Sequence, residues 1–239
     1  MSTFWKDTIP EGYYDSVVGN KKYGLASIQT NWHRITFENV KKFISSSGNI
    51  LDYACGSGNF LGSFENLDSF SIGVDISPKQ INYANRNYGN SARFVELDNF
   101  DINNYKSKFN TITCLGLIEF IEKYEVNELI DKFYFSLKPG GSLIITTPNF
   151  TYVMKTLEKI LNKYGEVNYK NEYKNRFTSK EIKNIFSNTI FNKVQIKKII
   201  TPFVFTSFFG NELGFKINSK FEKIFKNRFG FLFIIVLQK

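Results

Sequence analysis

Two carboxylates and two glycines stand at spacings that could do chemistry: Asp52, then Gly56 and Gly58, then Asp75. The first three lie in ILDYACGSGNF, residues 50–60, where an apolar run turns small and glycine-rich. Neither glycine carries a Cβ, so the backbone there can turn sharply and approach a ligand closely. A dinucleotide fingerprint G-x-G-x-x-G requires a third glycine at position 61, and Leu61 stands there, which speaks against a pyrophosphate cradle. Asp52, just ahead of the glycines, would repel phosphate and suits a cation. Asp75 follows 23 residues later, a spacing at which a strand-end carboxylate accepts hydrogen bonds from both hydroxyls of a ribose. The four residues together describe a site for a phosphate-free nucleoside that carries positive charge.

Strand ends would have to hold these groups, and the chain alternates accordingly. Residues 31–44 place Trp32, Ile35, Val40, Phe43 and Ile44 near helical spacing and stop before Ser45 to Gly48, which predicts a helix leading into strand one at Ile50. Further strands are predicted over 69–75, 92–97, 109–115 and 141–147, with helices over 78–88, opened by Pro78, and 125–137. Strands apolar on both faces and separated by helices indicate a parallel sheet covered on both sides, a doubly wound α/β fold. Such sheets bind ligands beyond the carboxyl ends of their strands, where strand order reverses. The glycine loop after strand one is therefore the expected site.

Composition bounds the rest. Doubly wound folds of 239 residues are routinely one domain. The chain has no apolar run of the ~18 residues that a membrane span needs, and Met1 to Pro10 lacks the charged-then-apolar pattern of a secretory leader, so a cytoplasmic location is expected. Cys55, Cys114 and the lone His33 support neither a disulfide framework nor a metal site. Cys55 reads as a small loop filler and Cys114 as strand packing. The net charge of +9 is uneven, −2 over residues 1–150 and +11 over 151–239. Such asymmetry marks either a solvated lysine-rich face or an anionic partner.

The stretches LDYACGSG (51–58), GVDISP (73–78), FVELD (94–98), FNTITCLGLIEFI (109–121) and LKPGGSLIITTPN (137–149) occur in one order along the chain. In that order they resemble the motifs of the class I S-adenosylmethionine-dependent methyltransferases. The quinone O-methyltransferase-like, small-molecule branch is most similar, because it also carries an arginine like Arg34 on the helix before the first motif. The resemblance implies a Rossmann-like doubly wound sheet of seven strands under an N-terminal helical cap, with strand six over 190–200 and an antiparallel last strand over 230–237. It implies a single methyltransferase domain over 1–239, made of a cap and helix (1–48), a cofactor-binding half (49–149) and a substrate-side half (150–239) with inserts at 150–176 and 201–229.

The resemblance also implies S-adenosyl-L-methionine as the cofactor. Arg34 would bind its methionine carboxylate, Asp52, Gly56 and Gly58 would form the loop around it, and Asp75 would hold the ribose. Ile76 would pack on the adenine, Asp98 and Asn99 would address it, and Leu115 to Leu117 would line the methionine side. The implied reaction is methyl transfer to an O or N atom of a small molecule, such as a sugar, a lipid-linked acceptor or a quinone-like one. Positioning alone can supply roughly 7–11 kcal/mol of such a barrier, so a strong base is not required. No catalytic residue is assigned; His33 is a candidate base, and Glu119 reads as a cap or solvated end of strand four.

Three features depart from the family or fall outside its motifs. Ala54 replaces the usual first glycine, which predicts a negative φ there. Phe120 stands where this branch often has histidine. Segment 201–229 gathers Phe203, Phe205, Phe208, Phe209 and Phe215 beside Lys216, Lys220 and Lys223, a mix that suits an anionic or lipid-linked acceptor, peripheral contact with a membrane, or a satellite core. Nucleic acid is not expected as a partner. Two other functions fit the same residues: an RNA-modifying enzyme, on the basic C-terminal part, and a catalytically silent methyltransferase-like binding protein.

Overall fold

Seven strands form one sheet in the order β3-β2-β1-β4-β5-β7-β6. They are β1 (Ile50–Tyr53), β2 (Ile72–Asp75), β3 (Arg93–Glu96), β4 (Phe109–Leu115), β5 (Leu137–Pro148), β6 (Lys193–Ile199) and β7 (Leu232–Gln238). The first five strands pair in parallel, and β7 runs antiparallel to both of its neighbours, β5 and β6. These come from a computed structural model that describes residues 3–19, 23–44, 48–65, 67, 70–156, 158 and 167–239. Ser45 to Ser47, Ser69 and much of the insert predicted after Phe150 lie outside the described residues.

The helices are α1 (Tyr13–Val18), α2 (Leu25–Lys41), α3 (Asn59–Gly62), α4 (Pro78–Tyr88), α5 (Lys123–Ser136), α6 (Ser179–Ser187) and α7 (Asn211–Ile224). Alternate residues of one strand feed two separate cores, because successive side chains point to opposite faces. Leu51, Leu143, Ile145, Phe233 and Ile235 pack under α5 and α6 with Ile130, Phe133 and Phe186. Ile50, Ile144 and Ile234 pack on the other face with Ile35, Phe60 and Ile81 from α2, α3 and α4. The central strands are thus covered on both faces, so β7 reads as a nearly unbroken apolar run, while the edge strand β6 leaves Lys193 exposed and Lys197 and Lys198 half-buried.

Most predicted edges move by a few residues, and α2 moves for a definable reason. It begins at Leu25, ahead of the apolar period that opens at Trp32. Its first turns bury polar residues instead: the Ser27 hydroxyl donates to the Ser207 carbonyl, and Asn31 Nδ2 donates to Ser207 Oγ and the Asn211 carbonyl, both at 2.7 Å. A buried polar face leaves no hydrophobic periodicity to read. Helix α4 spans Pro78–Tyr88, as predicted. No described helix is long and apolar enough to cross a membrane.

Candidate functional site

β1 and β4 are the neighbours between which strand order reverses, and a cavity of about 490 Å³ opens over their carboxyl ends. Its size falls in the ~300–1,000 Å³ range of small-molecule sites. Among the described residues its lining carries five carboxylic acids, Asp52, Asp75, Glu119, Glu125 and Glu172, against one lysine, Lys174. The site is therefore built for positive charge.

Asp52 is 2% exposed and accepts the Thr113 hydroxyl at 2.7 Å. Burial pushes its carboxyl up to about 7, against the lowering effect of that hydrogen bond. Asp75 takes the backbone N–H of Gly56 on one oxygen and that of Ser77 on the other, each at 2.9 Å. Burial raises its pKa, and backbone N–H groups of Ser77, Gly56 and Ile76 oppose the rise. The Asp75 side chain thus clamps the glycine loop to β2.

The loop is strained where the sequence suggests ease. Ala54 adopts φ +67, not the negative value expected for an alanine in the first glycine position. A Cβ in the left-handed region costs roughly 1–2 kcal/mol. Two short bonds hold the turn nonetheless, since the N–H groups of Ala54 and Cys55 both donate to the Val74 carbonyl, at 2.7 and 2.9 Å. Gly56 has φ +53, and a Cβ there would meet the Tyr14 ring at 2.8 Å. The space over Gly56 is thus fitted to a bare backbone facing the cavity.

The N-terminal segment closes the cavity from above. Lys79 Nζ donates to the Asp7 carbonyl at 3.0 Å and Gln80 Nε2 to the Pro10 carbonyl at 2.6 Å, while Tyr83 and Tyr88 both donate to Asp15. These bonds tie residues 7–15 to α4. They bring Trp5 and Tyr14 onto the lining, with Trp5 edge-on to Phe120 at 4.7 Å between ring centroids.

Of the residues expected at the site, Asp52, Gly56, Asp75, Ile76 and Leu115 line the cavity. Four others do not. Gly58 lies behind the loop at φ +78, packed so closely that a Cβ would stand 2.7 Å from the Phe94 ring. Arg34 points away from the cavity, pairs with Glu212 at 2.5 Å and lies over the Phe215 ring at 3.8 Å. Successive helical residues diverge by about 100°, so α2 turns Trp32, His33, Thr36 and Phe37 inward and Arg34 outward. Asp98 and Asn99 are exposed on the 3₁₀ turn Leu97–Asn99, where Asp98 meets Lys6 at 2.8 Å. The turn rotates Leu97 onto the lining in their place.

Glu119 is the residue that sequence reasoning missed. It is 3% exposed rather than solvated, its Oε2 has no partner of good hydrogen-bond geometry among the described residues, and the nearby Thr147 hydroxyl favours its charged form. Burial pushes its carboxyl up to about 7. Its burial follows from the insert, whose Lys174 and Asn175 N–H groups donate to the Glu119 carbonyl at 2.9 and 3.0 Å, a contact that no local pattern encodes. His33, on the opposite wall, is pushed down to about 4 by burial and is neutral at pH 7. Burial thus brings two lining carboxyls, Asp52 and Glu119, to about 7, where they can exchange a proton near neutrality, whereas His33 stays unprotonated there.

The profile of the methyltransferase domain family matches residues 28–196. A tRNA U34 carboxymethyltransferase of Campylobacter fetus is 28% identical over 135 residues, covering 54% of this chain and 47% of that protein. The chain thus spans less than half the length of that relative. A SAM-dependent methyltransferase from Archaeoglobus fulgidus superposes with a TM-score of 0.59 at 20% identity, covering 87% of this chain and 93% of that one. Magnesium protoporphyrin IX methyltransferase from Synechocystis PCC 6803, solved with bound SAH, superposes with a TM-score of 0.58 at 16% identity, covering 99% and 96%. An RNA-modifying enzyme among the relatives removes support from the expectation that nucleic acid is no partner.

Proposed function

The chain belongs to the methyltransferase domain family, and from that premise we propose that it is an enzyme that moves the methyl group of S-adenosylmethionine onto an O or N atom of a small acceptor. The observation that carries this reading is the set of buried acids at the ends of β1, β2 and beyond β4, facing one cavity with a single lysine among the described lining residues. When bound, S-adenosylmethionine supplies a methyl group on a positively charged sulfur. Asp52 and Asp75 are the acids suited to that charge and to ribose hydroxyls, and Gly56 leaves the backbone open for close approach. Ile76 and Leu97 offer an apolar face for the adenine. Arg34, Asp98 and Asn99 have no part in this assignment.

The chain's own contribution is to align, to exclude water and to take up a proton. Trp5 and Tyr14 cover the site, and desolvation strengthens each electrostatic contact inside it. Glu119 is the better-placed proton acceptor, since a base with a pKa near 7 matches neutral operating pH. Trp32, Phe37 and Phe120 give the acceptor an apolar wall, which favours a lipid-linked or quinone-like molecule or a sugar carried on an apolar stem. The whole of 1–239 acts as one domain in this reading. RNA is the second acceptor class, supported by the Campylobacter relative and the basic C-terminal part. Incubation with methyl-labelled donor and separate pools of quinols, lipid-linked sugars, amines and transfer RNA decides between them. Label in an organic-soluble or small-molecule pool is expected; label in RNA alone would overturn the small-acceptor reading, and no label in any pool would favour a silent binding protein.

A further inference from the structure

The segment between β6 and β7 has two aromatic layers. The inner one is packed: Phe203 stacks on Phe221 with ring centroids 3.5 Å apart, and Phe205 meets Phe231 at 6.1 Å. The outer layer faces solvent, with Phe208 47%, Phe209 74%, Leu213 51%, Ile224 56% and Phe229 51% exposed. Tyr23 and Leu25 extend it, because the Gly24 N–H donates to the Phe208 carbonyl at 3.0 Å. None of these outer residues lines the cavity.

Charge on the same face is one-sided. At about 100° per residue, Leu213, Lys216, Lys220, Lys223 and Ile224 fall within an arc of roughly 100° on α7, opposite Phe215, Asn218 and Glu222. Five cations of this segment are exposed, Lys216, Lys220, Lys223, Lys226 and Arg228. Its two acids are both committed elsewhere. Glu212 pairs with Arg34, and Glu222 is buried, accepting the Ile200 N–H at 2.7 Å and Asn218 Nδ2 at 3.0 Å. The outward surface of this segment is therefore mostly cationic and apolar, since Glu222 is buried and the exposed Glu212 is paired with Arg34.

We propose that this face, formed by α7, the 3₁₀ segment Pro202–Phe209 and residues 23–25, docks on the anionic surface of a lipid bilayer. Phenylalanine and leucine side chains enter the headgroup boundary, and lysine stems lie along the apolar surface while their ammonium groups reach lipid phosphates. Large apolar groups at the outermost positions distinguish the face from a purely electrostatic groove. The same elements pack on α2, whose inward side lines the cavity, so docking would bring the site next to the membrane. The inference does not depend on methyl transfer.

Co-sedimentation of the protein, without cofactor, with vesicles of phosphatidylcholine alone or mixed with phosphatidylglycerol tests it. Binding to the mixed vesicles, weakened by salt, is expected, with little binding to phosphatidylcholine. Lys216→Ser, Lys220→Ser and Lys223→Ser should each reduce it about fivefold, and the Phe208→Ser/Phe209→Ser pair should reduce it more than tenfold. Phe209→Ser alone, at the most exposed position, provides the same reading should the pair fail to fold. Equal binding by wild type and variants, no preference for anionic vesicles, or binding of single-stranded RNA while vesicles are ignored would overturn the proposal.

Discussion

Gly58 and Phe209 belong to the two regions that most resist easy placement, the glycine loop after β1 and the phenylalanine-rich segment after β6. Gly58 sits at φ +78 in a pocket with no room for a single carbon, bounded by Phe94 and Ala84. Phe209 is 74% exposed and stands edge-on to Phe208 at 5.5 Å. One region spends backbone conformation on a fixed shape, and its polar groups are paired inward. The other leaves large apolar groups unpaired at the surface. The contrast teaches that residue type alone is a poor guide to burial: a hydrogen in place of a side chain can be the tighter constraint.

Substitutions can break that contrast. The largest effect is expected for Gly58→Val, which adds a Cβ in the left-handed region and 2.7 Å from Phe94. Strain and overpacking together should cost about 2–5 kcal/mol of stability, read as a fall in denaturation midpoint by urea. A change below about 1 kcal/mol would mean that the loop adapts, and the rigidity assigned to it would be lost.

An intermediate effect belongs to Glu119, which joins the two regions' themes by being buried and only partly paired. Burial lifts its pKa from the ordinary 4.5 to about 7, so the folded state holds the proton more tightly than the unfolded one. Between those values the folded state binds more protons, and stability must fall as pH rises from about 4.5 to about 7. Below that window the group contributes no penalty. Glu119→Gln should remove up to about 3 kcal/mol of this pH-dependent loss, and Asp52, raised in the same direction, should keep part of the slope. Thermal melts across that range check the sign; an unchanged slope in the variant would show that Glu119 ionises freely. Loss of methyl transfer in the same variant is expected if it takes the acceptor's proton.

The smallest effect is expected at the surface. Phe209→Ser should shift stability by no more than about 0.5 kcal/mol, measured by the same urea titration. A loss of several kcal/mol would mean that the outer aromatic layer is packing after all, and the contrast with Gly58 would collapse.

The first five strands were legible in the chain, β4 at its observed bounds Phe109–Leu115, as was α4 at Pro78–Tyr88, because each carries its own apolar run and stop signal, whereas β6 and the reversed β7 were implied only by the family resemblance. Asp52 and Asp75 were legible as cavity residues for the same reason, standing at strand ends beside a glycine loop. The cap was harder to read: α2 buries polar residues against Ser207, so its first turns give no apolar period. Local pattern could not orient residues that differ by one position. His33 faces the cavity and Arg34 faces Glu212, 178 positions away in sequence. Asp98 meets Lys6 across 92 positions, and Glu119 is buried by an insert more than fifty residues downstream, through Lys174 and Asn175. Near-neighbour periodicity was enough to read the five parallel strands, the loop after β1 and the acids beside it. Which charges face the cavity and which face outward depends on burial and pairing between parts of the chain that meet only after folding.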